Sequence, residues 1–451
     1  VTRPQLSWAD LAGRTAGVWG FGREGSANLR KLRSMGVEPV LVDDSPAPDA
    51  ANVLRTDDGG LDALLKCEVV VKTPGISRYR PEAERLRDAG VVLTGGLGLW
   101  LQEADRERVV VVTGTKGKST TSSVIAHLLN GLGHRAMAGG NIGNVPYDPD
   151  LAPAQHVSAG GTASPNPSGK KQHEYWVIEV SSYQATDLAS TPPVTAVTSL
   201  HPDHLPWHGG VEQYYRDKLS ACSQPGADLT VANGDSVELR ERAPLLGPRI
   251  EWVSENDDPA ATWMEPLGLP GRHNRRNALI ARHVLHALGF SPADTDLHRA
   301  AEGYQPLPSR LRAIGVVDGV SFVDDSLSTN VLPTLAALDA FPGRRVALIV
   351  GGQDRGIDYG ELAEGVGARR EPTVVMTLPD SGPRISEAFA MTAPGVAVRD
   401  CPDLDEAVAA AMRWARPDGI VLLSPAAPSF GHFKDYRDRA EAFARAMRRL
   451  A

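Results

Sequence analysis

Cysteine is scarce in this 451-residue sequence: Cys67, Cys222 and Cys401 are odd in number and far apart, which excludes a disulfide framework or a zinc ribbon. Long apolar runs are missing too. None approaches the ~20 residues of a membrane-spanning helix, so membrane insertion is not expected. The N-terminus carries Arg3 and Asp10 without an apolar core segment, which argues against a signal peptide. Positive charge is short as well. The 47 Lys and Arg face 55 Asp and Glu, giving a net charge of −8 without a basic stripe, so no nucleic-acid partner is expected. No internal sequence repeat appears. What remains is the composition of a cytoplasmic globular enzyme, with length for about three domains.

The most informative stretch is Arg108–Thr120. Val109-Val110-Val111-Val112 reads as a buried parallel strand, and Val124, Ile125, Leu128, Leu129 and Leu132 mark one face of a helix that ends by Gly133. Between them lies Gly114-Thr115-Lys116-Gly117-Lys118-Ser119-Thr120. A glycine turn here wraps backbone N–H groups around phosphates, and the helix N-terminus adds partial positive charge. Lys118 is placed to reach the β- and γ-phosphates, and Ser119 or Thr120 to hold Mg²⁺. Val112 stands where the strict spacing has glycine, so the loop is a variant. An ATP or GTP site is expected.

Upstream, residues 15–95 have βαβ rhythm. Ala16–Trp19 leads into Gly20-Phe21-Gly22-Arg23-Glu24-Gly25, and Val40-Leu41-Val42 ends in Asp43-Asp44. That is the dinucleotide pattern, and alone it points first to NAD or FAD. The same turn accepts another nucleotide diphosphate, or serves only as a turn. Val69-Val70-Val71, ending in Lys72-Thr73-Pro74-Gly75, supplies a further edge of the same crevice.

Downstream, Gly139-Gly140-Asn141-Ile142-Gly143 reads as a glycine turn, and residues 155–173 as a surface excursion rich in Gly, Ser, Ala and Pro. Trp176–Val180 is a strand delivering Glu179, followed by Ser181-Ser182-Tyr183-Gln184. Val194–Leu200 is a strand feeding His201, Asp203, His204 and His208, and a helix with Tyr214, Lys218 and Leu219 follows. Zinc is one reading of the histidine cluster, but no Cys-x-x-Cys or His-Glu-x-x-His partner exists. Mg²⁺ chemistry at Glu179 and one histidine suits strand ends beside the phosphate loop. Pro306–Arg310 reads as a linker. A third βα series then begins, with strands at Val320–Val323, Val346–Val350, Thr373–Thr377 and Ile420–Leu423 and a last helix near Tyr436–Leu450.

Taken together, these residues resemble the Mur ligase family, over essentially the whole chain. The most specific parts are the Gly114–Thr120 loop, Glu179 with Ser181-Ser182-Tyr183-Gln184, Asp203-His204, Lys218, His273-Asn274 with Asn277, Asp325-Ser326 with Thr329-Asn330, and Leu423-Ser424-Pro425 through Phe433-Lys434. The resemblance implies an α/β fold of three domains: an N-terminal Rossmann-like UDP-binding domain (1–106), a central P-loop ATPase-like domain with a mostly parallel sheet (107–308), and a C-terminal Rossmann-like amino-acid domain (309–451).

It also implies an ATP-dependent ligase with an acyl-phosphate intermediate. The first-domain glycine turn and the Ser-Pro-Ala tail match members that add glutamate to UDP-N-acetylmuramoyl-L-alanine. By that likeness Lys118, Glu179, His204 and Lys218 are catalytic. Ser119, Glu179, His204 and a CO₂-derived carbamate on Lys218 hold two Mg²⁺ ions; from residues alone Lys218 is a solvated helix lysine. ATP lies on Gly114–Thr120, with Asn277, Arg310 and Asp325. The UDP-sugar lies on Gly20, Phe21, Gly22, Arg23, Asp43, Thr73, Pro74, Gly75, Asn141, Ser181 and Gln184, which replaces the NAD preference. Glutamate lies on Thr329, Arg355, Ser429 and Tyr436.

Relatives that add D-glutamate carry lysines where Leu327 and Arg355 stand, and phenylalanine at Tyr436. Losing one cation and widening another repositions a carboxylate, so L-glutamate is the expected acceptor and D-glutamate the alternative. A separate epimerase and a monomeric state are further expectations. A folylpolyglutamate synthase would lack the Gly20–Gly25 domain, no catalytic constellation supports an NAD-dependent oxidoreductase, and Glu179, His204 and Lys218 together speak against a non-catalytic module.

Overall fold

The computed structural model describes residues 3–46, 52–151 and 173–450. The excursion expected over 155–173 lies outside the described residues except for His173. The α/β expectation holds: three sheets, nearly all parallel, organise the chain.

The first sheet has the order β3-β2-β1-β4-β5, built from β1 (Ala16–Trp19), β2 (Val40–Asp43), β3 (Val53–Arg55), β4 (Val69–Lys72) and β5 (Val92–Gly95). All its pairings are parallel. Side chains alternate as period two requires. Val18, Val69 and Val71 join one apolar cluster with Val109, Val111 and Ile178 of the second sheet. Trp19, Val42 and Val70 pack on the other face. The order reverses between β1 and β4, so the crevice at that edge takes the glycine turn and the loop after Lys72.

The second sheet, β11-β10-β9-β6-β8-β7, is also parallel. Its strands are β6 (Val109–Thr113), β7 (Ala136–Gly140), β8 (Tyr175–Glu179), β9 (Val194–Val197), β10 (Leu229–Asn233) and β11 (Arg249–Val253). The four valines put β6 at the centre, fully buried. The β9 strand is shorter than expected: Thr198 N still donates to Thr113 O at 3.1 Å, while the Thr198 and Ser199 hydroxyls donate to Lys116 O of the phosphate loop. The expected glycine turn at Gly139–Gly143 begins inside β7, whose last two residues are Gly139 and Gly140.

The third sheet, β12-β13-β17-β14-β15-β16, contains β12 (Arg312–Val317), β13 (Val320–Asp324), β14 (Val346–Gly352), β15 (Thr373–Asp380), β16 (Ala397–Asp400) and β17 (Ile420–Leu423). Only β12 and β13 pair antiparallel. One face buries Phe322, Ile349 and Leu423, the other Val323, Leu348 and Leu422.

The first two sheets share one compact unit, Val1–Pro266 with Arg276–Glu302; the third forms another, Leu267–Arg275 with Gly303–Ala451. Helices that carry candidate site residues include α1 (Arg23–Ser34), α2 (Lys118–Gly131), α3 (Ser182–Ala185), α4 (Val211–Leu219) and α5 (Tyr436–Arg448), and Asn277 lies on the helix Arg272–Ala287. Among the described residues, no helix is long and apolar enough to cross a membrane.

Candidate active site

The loop between β6 and α2 closes on itself. Gly117 is the N-cap of α2 with φ +89°, and a Cβ there would lie 2.8 Å from Asn277 Oδ1. Glycine is therefore required both by the left-handed backbone and by the close approach of Asn277. Lys118 Nζ donates to the carbonyls of Gly114 and Thr115 at 2.9 and 3.0 Å. Ser199 Oγ accepts from Lys116 N at 2.8 Å, and Thr115 Oγ1 meets Tyr214 OH at 2.8 Å. Ser119 is buried and Thr120 half-buried in the first turn of α2. Amides at this helix start point where an anion is stabilised.

Glu179 ends β8 next to this loop. Its Oε1 accepts from Asn141 Nδ2 at 2.7 Å, while Oε2 is buried without a partner. An orphaned carboxylate oxygen beside a phosphate loop fits a hard divalent cation, which takes oxygen ligands. Lys218, buried on α4, donates from Nζ to Gly114 O at 3.1 Å and lies 5.0 Å from the Tyr214 ring centroid. Burial, reinforced by the Lys118 charge, holds its amine well below the ordinary lysine range.

His204 sits at φ +52°, its Nε2 3.7 Å from Asp203 Oδ2 and its ring 5.2 Å from that of Tyr183. Burial lowers the affinity of His204 for a proton. Burial acts on Asp203 in the opposite sense to its neighbours, yet Lys116, 3.4 Å away, and His204 hold its carboxyl below the usual range. The histidine cluster does not converge on one point. His208 is engaged by Asp217 and Ser182, and among the described residues no group of three or more His, Cys, Asp or Glu is arranged to hold a metal.

In the first sheet, a Cβ on Gly20 (φ +91°) would lie 2.0 Å from Thr73 Oγ1, so the turn packs directly on the loop after β4. Asp43 uses both carboxylate oxygens on main chain: Phe21 N donates at 2.6 Å and Ser45 N at 2.7 Å. Arg23 lies against Gly143. Gly75 O accepts from Trp207 Nε1 at 3.2 Å. Ser181 and Gln184 form a reciprocal capping box on α3, and Gln184 Nε2 donates to Glu24 Oε1 at 2.7 Å. Burial pushes the Glu24 carboxyl up to about 7.

Sequence reasoning missed Glu24, and also the buried Lys72–Asp187 pair, 2.5 Å apart. The one available signal was a lysine closing the apolar run Val69-Val70-Val71.

In the other unit, Asp325 accepts from Ser424 Oγ at 2.7 Å and Leu311 N at 3.1 Å, and burial pushes its carboxyl up to about 7. Arg310 is half-buried. Thr329 lies in the loop before the helix Val331–Asp339, and exposed Arg355 donates from Nε to Gln353 Oε1 at 3.2 Å. Tyr436 opens α5. Ser429 is buried on a cavity of about 320 Å³ shared with Gly352, Phe433 and Arg445, which Thr329, Arg355 and Tyr436 do not line. No hydrogen bond or ion pair joins these four candidates to one another among the described residues.

The sequence also gave no hint of Arg439. Fully buried, it donates to the carbonyls of Ser326 at 2.8 Å, Ala427 at 3.1 Å and Gly351 at 3.5 Å. It thereby clips the loops after β13 and β17 to the end of β14.

Family models match on both sides of residue 300: the Mur ligase middle domain over residues 112–265, and the Mur ligase glutamate ligase domain over residues 309–427. The chain belongs to the Mur ligase family, the ATP-dependent ligases of peptidoglycan-precursor synthesis. Its relatives are specific in name. A UDP-N-acetylmuramoyl-L-alanine--L-glutamate ligase of Micromonospora sp. is 41% identical, covering 98% of each chain. One of Xanthomonas euvesicatoria is 38% identical, covering 97% of this chain and 95% of its own. Among solved structures, the UDP-N-acetylmuramate-alanine ligase of Thermotoga maritima shares the fold at 19% identity and a TM-score of 0.59, covering 97% of this chain and all of that one. A MurF ligase of the same organism, in complex with ADP, does so at 16% identity and 0.55, covering 100% and 99%.

Proposed function

We propose that this protein joins L-glutamate to UDP-N-acetylmuramoyl-L-alanine at the expense of ATP. The observation that carries the reading is near-full-length similarity to relatives bearing that name, together with a phosphate loop beside the unpartnered Glu179 oxygen. The γ-phosphate of ATP passes to the alanyl carboxylate, giving an acyl phosphate. The glutamate amine attacks the acyl carbon, phosphate leaves, and the amide forms. Such chemistry needs positioning and charge neutralisation more than covalent help.

Lys118, now donating to loop carbonyls, turns to the phosphates. Asn277, Arg310 and Asp325 bind the nucleoside and phosphates of ATP. Ser119 and Glu179 would hold one magnesium ion and His204, with Lys218, a second; when bound, the ions would neutralise phosphate charge. Lys218 adds CO₂ to its neutral amine and releases a proton, and the resulting carbamate supplies oxygen to the same site. The lowered proton affinity of buried Lys218 supports this, since only the free amine attacks CO₂.

The Gly20–Arg23 turn, with Asp43 keeping its shape, takes the UDP diphosphate, helped by Thr73, Pro74, Gly75, Asn141, Ser181 and Gln184. Thr329, Arg355, Ser429 and Tyr436 receive glutamate. The enzyme works as a cytoplasmic monomer, and a separate epimerase inverts the glutamyl centre of its product. Phosphate release tests the reaction. It should require ATP, the muramoyl-alanine nucleotide and glutamate together, and release without the nucleotide would refute the assignment.

A further inference from the structure

One buried cluster has no part in the chemistry above. His208 Nδ1 lies 2.6 Å from Asp217 Oδ2, and Nε2 lies 3.0 Å from Ser182 Oγ. Asp217, a carboxylate acceptor, takes the Nδ1 hydrogen; in the neutral ring Nε2 then accepts from the serine hydroxyl. Asp217 Oδ1 further accepts from Tyr79 OH at 2.5 Å and Gln213 Nε2 at 2.8 Å. The rings of Tyr183, Trp207 and Tyr214 surround the imidazole at 5.5, 4.5 and 5.1 Å between centroids.

The bonding order is that of a serine hydrolase, but its setting is not. A nucleophilic serine stands exposed at a sharp turn with oxyanion donors in front of it. Ser182 is buried, as are His208 and Asp217. What the three residues join is more telling. Ser182 is the first residue of α3, a helix of only four residues that cannot hold its own shape. Asp217 precedes Lys218 on α4. A fully satisfied buried polar network fixes the groups it connects.

We infer that Ser182, His208 and Asp217 form a positioning triad that sets the register between α4, carrying Lys218, and α3, capped by Ser181 and carrying Gln184. Through Tyr79 it also ties α4 to the first-sheet loop that follows Gly75. His208 is thus a positioning residue for the UDP-linked substrate, a role that rests on the proposed function.

Kinetics of Ser182→Ala and His208 variants test it. Removing one hydroxyl leaves the fold intact. The KM for the muramoyl-alanine nucleotide should rise about tenfold while that for ATP stays within about twofold of wild type. Residues acting as a unit are not additive, so Ser182→Ala/His208→Asn should be no worse than the worse single variant. His208→Asn, which retains a donor for Asp217, should keep more activity than His208→Phe. Unchanged KM values with only a lowered Tm, or additive losses, would overturn the role. Labelling of Ser182 by a fluorophosphonate would do so too, by making it a nucleophile. The wild-type control separates the two claims: if it releases no phosphate with this substrate, the assigned reaction fails and the triad's role with it, whereas an active wild type with indifferent variants rejects the triad alone.

Discussion

Glu24 holds a carboxyl where water is scarce, bonded to Gln184 and near Lys72, Asp187 and Arg23. Its folded-state pKa of about 7 exceeds the ordinary 4.5, so between these values the folded protein binds the extra proton. Stability therefore falls as pH rises through that window. Glu24→Gln should remove this dependence and raise stability at pH 8 by on the order of 2 kcal/mol. Melting curves at pH 5 and 8 check it, and an unaltered pH slope would count against the burial argument. Glu179→Gln removes the unpartnered oxygen's charge and should cut kcat by at least about 100-fold without unfolding the protein; circular dichroism beside the activity assay separates the two effects. Lys218→Ala should be inactive and partly rescued by small carboxylates that replace the carbamate oxygens; wild-type activity in that variant would refute the carbamate. Lys118 and Glu179 were legible because the chemistry fixes their spacing from a strand end. Glu24 and Lys72 were not, because their partners Gln184 and Asp187 lie far away in sequence.

Elements differ in how clearly the sequence announces them. The central strands β1, β6, β14 and β17 are buried on both faces and read as continuous apolar runs. The six edge strands, β3, β5, β7, β11, β12 and β16, went unrecognised, as did β10. Each of these edge strands carries charge or glycine, as in Val53-Leu54-Arg55 and Ala397-Val398-Arg399-Asp400, because half its ladder is unpaired. Two predictions belong here. Gly117→Ala strains a left-handed residue by about 1–2 kcal/mol and drives a methyl toward Asn277; nucleotide affinity by calorimetry should drop, and wild-type affinity would show that the loop tolerates a side chain. Arg439→Met removes the donors to three carbonyls and should cost about 2–3 kcal/mol by denaturant titration.

For the whole molecule, fold class and ligase chemistry follow from motifs spread over the chain, and the family match agrees with both. Acceptor chirality is less legible. On the proposed assignment it would rest on Thr329, Arg355, Ser429 and Tyr436, which stand on separate loops and one helix start. The absence of lysine at Leu327 and the names of the relatives both favour the L form. The deciding measurement is the turnover of purified enzyme with ATP, UDP-N-acetylmuramoyl-L-alanine and each glutamate enantiomer separately. For L-glutamate kcat/KM should lie at least about 100-fold above that for D-glutamate; faster turnover with D-glutamate, or none with either, would refute the proposed acceptor.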